Sequence, residues 1–491
     1  MIHSLTLYDV LAEHARSRPS GTAVVDGEVR LTYPELAERV ARAAGALAAA
    51  GVEQGSRVLW LGQNSHRVLE LLLACSRLGA IFCPANWRQS ADELRFVVDD
   101  LKPSVVVHAN LNPYGSATWV SVDAYDDFLG SYESVATSDD DELPVLALYT
   151  AAFDGRPNAA LLSNAALIAH AASLLHVRRM EPDFAFLSNG PLFHVGTTMF
   201  MLATFLAGGK NAFVPQHDAE EVCRVVDAEK ITQAFLFGAM IDGLVAANGS
   251  GKYDLSSLRF ISHSPEWDAM TTPDDSPWCR SKMGGYGQTE VGGMLTFLGL
   301  APGAAGFAGR PSPLVTVRIL DPSGEEVPAG EVGEICARGK TIFSGYFNRP
   351  ELNAEKTRGG WHHTGDLGRR EPDGTITFIG PRLRMIKSGA ENIYPAEVER
   401  ALKSHPAVAD AAVIGVPDDQ WHQSVKAVIV TRGDVREKVS ADDLIAHVRA
   451  AIASYKKPRH VVFADAIPKK GFTPDYDALD AQYGGGNYPG V

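Results

Sequence analysis

The sequence predicts an α/β protein with a large N-terminal domain of helix-covered parallel sheets, a β-rich subdomain within it, and a small α+β C-terminal domain. Three observations predict this class. From Thr32 onwards, strand-like segments alternate with helical patterns of roughly 10 to 15 residues. Between residues 309 and 349, short alternating strand patterns are separated by glycine turns. Beyond residue 384, helical and strand patterns form a compact unit of about 110 residues.

The N-terminal elements illustrate the alternation. Thr32-Tyr33-Pro34-Glu35 is a capping-box pattern that predicts the start of a helix, and the apolar stripe of that helix ends before Gly51. Arg57–Leu61 has the composition of a strand. The next helix is predicted over His66–Leu78, with Gly79 as its stop. Strands and helices in this order favour parallel sheets covered by helices.

The C-terminal third contains shorter signals. Asp373-Gly374 predicts a hairpin turn between two strands. Pro395 suits the first turn of an amphipathic helix. A strand is predicted over Ala411–Ile414 and a helix near Ala441 to Ala453. The tail from Gln482 to Val491, which includes three consecutive glycines, is expected to be disordered.

Composition excludes several classes of protein. The net charge of −14 argues against nucleic acid as a partner. The N-terminus lacks an apolar signal core, and no apolar run approaches the roughly 18 residues of a membrane span. An odd number of cysteines without paired spacing indicates reduced thiols. We therefore expect a cytoplasmic protein with no membrane or nucleic-acid partner. The cysteines are Cys75, Cys83, Cys223, Cys279 and Cys336.

Three motifs carry the functional prediction. Tyr286-Gly287-Gln288-Thr289-Glu290 combines an aromatic ring that can stack on a purine with a hydroxyl that can donate to phosphate. Thr364-Gly365-Asp366 lies further along the chain, and a glycine-bearing loop runs from Ser388 to Pro395. Together, and in this order, the motifs resemble those of the adenylate-forming acyl-CoA synthetases, the family that also holds luciferases and peptide-synthetase adenylation domains. The resemblance extends over essentially the whole chain.

The resemblance implies a nucleotide site. In the family, the aspartate of Thr-Gly-Asp binds the AMP ribose, which assigns that role to Asp366. The tyrosine flanks adenine, the threonine contacts the α-phosphate and the glutamate assists a magnesium ion. A family arginine that helps to hold the ribose is replaced by Pro381, so Arg382 is the predicted substitute. The predicted nucleotide-binding residues are Tyr286, Gly287, Gln288, Thr289, Glu290, Asp366 and Arg382.

The resemblance also implies an acyl pocket and a coenzyme A path. His194 lies in a Pro-Leu-Phe-His stretch that the family places at the acyl pocket, as a gate or polar anchor. Phe193, His194 and Phe237 are the predicted pocket residues, and the same aromatic residues would serve equally well in a core. Because coenzyme A carries phosphates, basic residues suit its binding. Its predicted contacts are Ser388, Gly389, Lys456 and Arg459, and the predicted catalytic residues are His194 and Gly389.

The phosphate-binding loop departs from the family. The family loop is Tyr-Thr-Ser-Gly-Thr-Thr-Gly-x-Pro-Lys-Gly, whose small residues, hydroxyls and lysine hold the β- and γ-phosphates of ATP. At the same register this chain has Tyr149 to Ala159, with the serine, both later threonines and the lysine lost. Phe153 adds bulk, Asp154 adds a negative charge and Asn158 replaces the lysine. These changes indicate exclusion of the ATP polyphosphate.

Two further positions depart from the family pattern: the lysine that the family uses in adenylation, and the hinge between the two domains. The family's Gly-Lys pair near the C-terminus falls on Thr473 and Pro474. Loss of one such aimed donor typically lowers a rate by roughly 10² to 10³. Pro381 and Arg384 occupy the hinge that, in the family, swings a mobile C-terminal domain between two poses. Because proline restricts φ, a stiffened hinge is expected.

The sequence therefore predicts a non-adenylating acyl-CoA ligase, with an N-terminal nucleotide- and acyl-binding domain over residues 1–380 and a C-terminal, coenzyme A-facing domain over residues 381–491. It would take acyl-AMP from a separate adenylating enzyme, transfer the acyl group to coenzyme A and release AMP, with no resident metal and no magnesium requirement. In this respect the chain resembles the non-adenylating acyl-CoA ligases of platensimycin-type diterpenoid pathways, a branch of natural product biosynthesis. Two alternatives stay open: an ATP-dependent ligase with rerouted phosphate contacts, and a non-catalytic scaffold subunit. A homodimer is compatible with the sequence, which does not determine the oligomeric state.

Overall fold

The computed structural model has the predicted α/β class. Its N-terminal part contains two helix-covered, mainly parallel sheets and a β-rich region, and its C-terminal part is a small α+β unit. The structure describes residues 2–109, 111–130, 135–150, 157–180, 183–274, 285–301, 306, 308–381, 384–389, 391–432, 439–470, 473–486 and 488.

The largest sheet has seven strands. Five neighbouring strands, from Pro144–Thr150 to Thr118–Ser121 in spatial order, run parallel to one another. Two antiparallel strands extend the sheet beyond Pro144–Thr150. In spatial order the strands are Gly345–Tyr346, Asn158–Ser163, Pro144–Thr150, Ile81–Pro84, Arg57–Leu61, Val105–His108 and Thr118–Ser121. The strand Pro144–Thr150 therefore leads from the middle of this sheet directly into the divergent phosphate-loop segment, of which residues 151–156 lie outside the described residues.

A second sheet of five strands is parallel except for its last pair. Its spatial order is Gln233–Ala234, Ala185–Ser188, Lys210–Phe213, Thr22–Asp26 and Val29–Thr32. Among the described residues, the helices of the N-terminal part are Leu7–Ser17, Tyr33–Ala49, His66–Leu78, Ala91–Leu101, Tyr125–Leu129, Asn164–Arg178, Val195–Ala207, Ala219–Glu229, Gly238–Ala247, Pro265–Met270 and Pro350–Lys356.

Local sequence explains where these helices begin and end. Thr32 caps the helix Tyr33–Ala49 by accepting from the Glu35 backbone, and the Glu35 carboxylate accepts from the Thr32 backbone at 2.7 Å, which is the predicted capping box. The apolar stripe of this helix is fully buried, and burial of each Leu or Val side chain contributes about 1.5–3 kcal/mol. The helix His66–Leu78 ends, as predicted, at Gly79, which has a left-handed φ of 66°.

The β-rich region contains an antiparallel four-stranded sheet with the order Val315–Leu320, Val332–Gly339, His362–Arg370 and Ile376–Pro381. The predicted Asp373-Gly374 turn joins its last two strands. Three two-stranded ladders lie in the N-terminal part: Arg259–Phe260 with Thr272–Pro273, Gly287–Gln288 with Gly293–Met294, and Thr296–Phe297 with Arg310–Pro311. The ladder at Gly287 carries the Tyr-Gly-Gln-Thr-Glu motif, and the strand His362–Arg370 carries the Thr-Gly-Asp motif.

The C-terminal unit has its own five-stranded sheet and core. Its strands are Glu391–Ile393, Ile386–Ser388, His422–Thr431, Val408–Asp418 and His460–Phe463. Its helices are Pro395–Lys403, Ala441–Ala451 and Tyr476–Tyr483, and a hairpin pairs Lys469–Lys470 with Thr473–Pro474. Among the described residues, no helix combines the length and the apolar character needed to cross a membrane.

The expectation of a disordered tail is wrong for the part of the tail that the structure describes. The helix Tyr476–Tyr483 ends at Gly484, and Tyr488 is buried against the C-terminal sheet. The Gly415 backbone N–H donates to the Tyr488 hydroxyl at 3.0 Å, and the Gln423 amide donates to the Gly486 carbonyl at 2.6 Å. Tertiary contacts with the sheet therefore order a segment whose glycine content alone suggests disorder.

Candidate active site

A polar cluster forms where the strand His362–Arg370 approaches the Tyr286 motif. The Tyr286 hydroxyl donates to Asp366 Oδ2 at 2.5 Å, and Gln288 Nε2 reaches the same oxygen at 3.3 Å. The Tyr286 ring stacks on Phe378 with 5.1 Å between ring centroids. No hydrogen bond to Asp366 Oδ1 is formed within the described part of the chain. This second carboxylate oxygen is therefore available to a ligand hydroxyl.

Backbone contacts hold the Thr-Gly-Asp turn in shape. The Thr364 hydroxyl donates to the Ile335 carbonyl at 2.7 Å and accepts from the Asp366 backbone at 3.1 Å. The Gly365 N–H donates to Glu334 Oε1 at 3.0 Å. These contacts tie the turn to the neighbouring strand Val332–Gly339, so the Asp366 carboxylate is presented from a rigid element.

The environment of Asp366 alters its ionisation. Burial raises the pKa of the Asp366 carboxyl to about 6, the Glu290 charge adds to the increase, and the hydrogen bond from Tyr286 opposes it. Glu290 itself is buried, and its Oε1 accepts from the Tyr346 hydroxyl at 2.8 Å and from the Thr150 hydroxyl at 3.2 Å. At neutral pH, Asp366 is therefore ionised and able to accept hydrogen bonds from a diol.

The remaining residues of the motif lie beside this cluster. Gly287 pairs with Met294 across a narrow ladder, where an added Cβ would lie 1.9 Å from the Gly293 carbonyl oxygen, so only glycine fits. Thr289 is half-buried at the start of a short 3₁₀ turn. The structure thus brings together six of the seven predicted nucleotide residues, whereas Arg382 lies outside the described residues.

The C-terminal loop contacts the predicted acyl pocket through Glu391. Glu391 Oε2 lies 3.3 Å from His194 Nε2, and Glu391 Oε1 accepts from Arg88 at 2.6 Å. Although burial alone would raise the pKa of the Glu391 carboxyl, the hydrogen bond from His194 and the charges of His194 and Arg88 lower it to about 2. Glu391 is thus an ionised link between the C-terminal unit and the N-terminal part.

Arg88 extends this link to two aromatic rings. Its guanidinium lies 5.1 Å from the Phe193 ring centroid and 5.2 Å from that of Tyr455. The Tyr455 hydroxyl in turn accepts from the Asn86 amide at 3.5 Å. Cation–π contacts of this kind stabilise by about 0.5–2 kcal/mol each, depending on desolvation. The interface therefore places the C-terminal loop against His194, and Arg88 links the loop to Phe193.

The predicted coenzyme A contacts divide into two groups. The Gly389 N–H donates to the Trp421 carbonyl at 2.7 Å, and the Arg459 guanidinium lies 5.3 Å from the Trp421 ring centroid. Gly389 has a left-handed φ of 59°, and an added Cβ would lie 3.1 Å from the Trp421 ring. Ser388 is adjacent and pairs with Glu391. Ser388, Gly389 and Arg459 therefore share one surface of the C-terminal unit.

Lys456 lies apart from that surface. It is buried, and its Nζ contacts Glu397 Oε1 at 2.6 Å and Glu93 Oε1 at 3.1 Å. Although burial acts against its charge, the neighbouring Tyr455, Glu397 and Glu93 raise the pKa of Lys456. In this structure Lys456 joins the two parts of the chain through ion pairs with Glu93 and Glu397. Its role as a coenzyme A contact stays a prediction.

Aromatic residues form one wall of the predicted acyl pocket. Phe193 is buried, with its ring 4.9 Å from that of His194. Phe237 is half-buried and meets Phe235 edge to face at 4.8 Å. The Phe235 ring occupies the space beside Gly190, where a Cβ would lie 2.2 Å from it. Phe237 thus has an aromatic neighbour in Phe235, whereas Phe193 contacts His194 and the Arg88 guanidinium.

The positions that depart from the family have new partners. Asn158, which stands at the loop lysine's position, accepts from Arg349 Nε at 2.9 Å, and Arg349 also pairs with Asp100 at 2.7 Å. Lys469 lies five residues before Pro474, the position of the missing adenylation lysine. Its Nζ pairs with Asp410 at 2.9 Å. Pro474 lies in the adjacent hairpin. None of these residues contacts Asp366 in the described structure.

The hinge residue Arg384 is held by the C-terminal helix. Its guanidinium forms ion pairs with Asp477 and Asp480 and lies 5.0 Å from the Tyr488 ring centroid. These contacts therefore attach Arg384 to the C-terminal unit itself.

Sequence reasoning missed two residues of this site. Arg88 has no motif of its own, and its partner Glu391 is 303 positions away. No motif predicted a role for His362, which lies two residues before Thr364. Its Nε2 nevertheless lies 2.9 Å from Gln288 Oε1.

Comparison with known proteins agrees with this architecture. Residues 11–347 match the family model of the AMP-binding enzymes, and residues 397–471 match the AMP-binding enzyme C-terminal domain. The chain is 37% identical to a feruloyl-CoA synthase from Amycolatopsis sp., over 93% of this chain and 94% of that protein. It is 33% identical to the indoleacetate–CoA ligase of Aromatoleum aromaticum, over 95% of both chains.

Among solved structures, the chain is similar to a double mutant of o-succinylbenzoate CoA synthetase from Bacillus subtilis bound with a product analogue. The TM-score is 0.80 at 24% identity, covering 95% of this chain and 96% of that one. This likeness concerns the fold. The family match and the two sequence relatives show that the chain belongs to the AMP-binding enzyme family, as a member of its acyl-CoA ligases.

Proposed function

We propose that this acyl-CoA ligase catalyses only the thioester-forming half of the family reaction. It takes a preformed acyl-AMP, transfers the acyl group to the thiol of coenzyme A and releases AMP. The observation that carries the proposal is the contact of Glu391 with His194 and Arg88. This contact holds the Gly389 loop, which faces coenzyme A in the family, against the acyl pocket.

The replacement of residues that the family uses for adenylation supports the same proposal. Asn158 replaces the loop lysine and is engaged by Arg349. Pro474 replaces the adenylation lysine, and Lys469 is paired with Asp410. Without the loop lysine, the β- and γ-phosphates of ATP have no counter-charge at the position where the family supplies it. Without the second lysine, the donor that the family aims at the acyl carboxylate and the α-phosphate is missing. The Asp366 site, which an AMP moiety needs, is retained.

In the proposed reaction, Asp366 accepts hydrogen bonds from the ribose diol and so fixes the AMP moiety. Phe193 and Phe237 line the acyl region, and His194 anchors its polar end. The thiol sulfur attacks the acyl carbonyl carbon and the bond from that carbon to the phosphate oxygen breaks. AMP leaves with the electron pair, and the thiol proton passes to solvent. The domain contact positions both reactants, which is a large part of such a rate enhancement.

Magnesium is not required in this proposal. In the family the motif glutamate assists a magnesium ion during adenylation, when polyphosphate charge must be neutralised. Here the Glu290 carboxylate is engaged by Tyr346 and Thr150, and acyl-AMP carries a single phosphate. Coenzyme A and acyl-AMP are the two substrates, and a separate adenylating enzyme supplies the second.

The acyl group is proposed to be a bulky apolar acid. The predicted pocket residues Phe193 and Phe237 are aromatic, Phe237 lies edge to face with Phe235, and the two relatives above are named for ferulate and indoleacetate. Feruloyl-AMP and indoleacetyl-AMP are therefore suitable first probes. Those relatives also define the competing function, a complete ATP-dependent ligase in which other residues hold the phosphates.

Three incubations separate the alternatives. The chain is mixed with coenzyme A and either the acyl-AMP probes, or ATP with magnesium and the corresponding acids, or the acids alone. We expect acyl-CoA only from acyl-AMP. Acyl-CoA from ATP and acid at a comparable rate would establish the complete ligase, and no product from any mixture over a panel of acyl-AMPs would favour a non-catalytic subunit.

A further inference from the structure

We infer that His362 is a positioning residue for the nucleotide, because it fixes the orientation of the Gln288 carboxamide so that its amide N–H groups face Asp366 and Tyr286. The inference rests on the proposed AMP site and extends it to a residue outside the recognised motifs.

The contacts define a short relay. His362 Nε2 lies 2.9 Å from Gln288 Oε1, so the imidazole donates and the amide oxygen accepts. On the other side of the amide, Gln288 Nε2 lies 3.0 Å from the Tyr286 hydroxyl and 3.3 Å from Asp366 Oδ2. A carboxamide has one oxygen and one NH₂ group, so holding the oxygen towards His362 directs the NH₂ group towards Asp366.

The protonation state of His362 suits this role. The ring is buried, and within the described structure its Nδ1 has no hydrogen-bond partner, which leaves Nε2 as the protonated nitrogen. Burial, with the nearby Lys356 and His363 charges, lowers the pKa of His362 to about 3. The Phe343 ring meets it nearly edge to face at 5.0 Å and holds its orientation. His362 is thus a neutral donor throughout the working range of pH.

The orientation matters because Asp366 is a buried carboxylate. If the Gln288 amide flipped, its oxygen would face the Asp366 oxygen, and an attractive contact would become a repulsive one. The titratable and charged groups that act on Asp366 are Tyr286, Glu290, Lys356 and Tyr394. The neutral Gln288 amide also donates to Asp366, and this hydrogen bond lowers the pKa of Asp366. Its loss would disfavour the ionised form of Asp366, which is the form that accepts hydrogen bonds from the ribose.

The test compares His362→Met, which keeps the volume but loses the donor, with His362→Gln, which keeps an amide donor near the same position. AMP affinity is measured by calorimetry between about pH 5 and 8. For the wild type, affinity should fall as the pH drops through about 6, the pKa of Asp366. We expect His362→Met to weaken AMP binding roughly tenfold at pH 7.5 and to shift this midpoint upwards, whereas His362→Gln should stay within roughly threefold of the wild type.

A double-mutant cycle shows whether the effect passes through Gln288. In a Gln288→Met background, His362→Met should cause no further loss. His362→Asn, whose amide is too short to reach Gln288, serves as a second variant if the methionine variant does not fold, and it should behave as His362→Met is expected to.

An equal loss in both backgrounds, or weaker binding with an unmoved midpoint, would overturn the relay, since simple damage to packing gives both results. If the wild type does not bind AMP at all, the proposed nucleotide site fails instead. If the wild type binds AMP and the His362 variants bind it just as tightly, the relay fails while the proposed nucleotide site stands.

Discussion

Replacement of Glu391 by glutamine tests the contact that joins the two parts of the chain. The change keeps the size of the side chain and removes the charge that pairs with His194 and Arg88. Both partners belong to the N-terminal part, while Glu391 belongs to the C-terminal loop next to Gly389. Glu391→Gln should therefore weaken the docking of this loop against His194 and Arg88.

The magnitude follows from the ionisation of Glu391. The pKa of its carboxyl is lowered from the ordinary 4.5 to about 2, which corresponds to about 3 kcal/mol in favour of the carboxylate. Glu391 is 13% exposed, but Arg88 and His194 are 32% and 41% exposed, so solvent screens part of this energy. We expect the loss to be about 1–2 kcal/mol, or roughly 5- to 30-fold in the thioester-forming rate.

The sign of the pH dependence is also defined. Because the pKa of Glu391 is depressed in the folded chain, its contribution is fully present above about 4.5 and is lost as the pH falls towards about 2. An assay at pH 7.5 lies well above both values, so the Glu391 carboxylate of the wild type is ionised there.

The assay is single-turnover acyl-CoA formation from the acyl-AMP probe that the wild type consumes fastest. Glu331→Gln, which changes an exposed glutamate in a turn of the N-terminal part, is the matched control and should leave the rate unchanged. A Glu391→Gln rate within twofold of the wild type would refute the view that this link positions the reactive loop.

Three further predictions concern the nucleotide and the lost lysines. Asp366→Ala should weaken AMP binding by roughly 10- to 1000-fold, because hydrogen bonds to a charged group contribute about 1.5–3 kcal/mol each; unchanged affinity by calorimetry would reject the ribose site. ATP should bind at least roughly tenfold more weakly than AMP, since Asp154 repels the outer phosphates and Asn158 cannot neutralise them; equal affinities with magnesium present would contradict this. The double variant Thr473→Gly with Pro474→Lys should still release little pyrophosphate from ATP and acid, because the loop remains unchanged, and robust release would mean that the lysine was the only defect.

The sequence predicts local structure well where a local pattern is sufficient. The capping box at Thr32 and the stop at Gly79 depend on neighbouring residues only, and the structure has both. The resemblance likewise anticipates that the Tyr286 motif and Asp366 come together, 80 positions apart, because each motif is recognisable by itself.

Contacts between distant residues without motifs are not predictable in this way. Nothing near Arg88 indicates that it pairs with Glu391, and nothing near His362 indicates that it orients Gln288. The tail shows the same limit. Its glycines suggest disorder, but burial of Tyr488 against the sheet orders it, and that surface exists only in the folded unit.

The central claim is that the chain has kept thioester formation and lost adenylation. ATP–pyrophosphate exchange isolates adenylation, because it needs neither coenzyme A nor the second domain pose. The wild-type chain is assayed with magnesium, radiolabelled pyrophosphate and ferulate or indoleacetate, beside acyl-CoA formation from feruloyl-AMP or indoleacetyl-AMP. The account predicts acyl-CoA formation from acyl-AMP with no acid-dependent exchange above the enzyme-free control. Acid-dependent exchange at a rate comparable to thioester formation would contradict it.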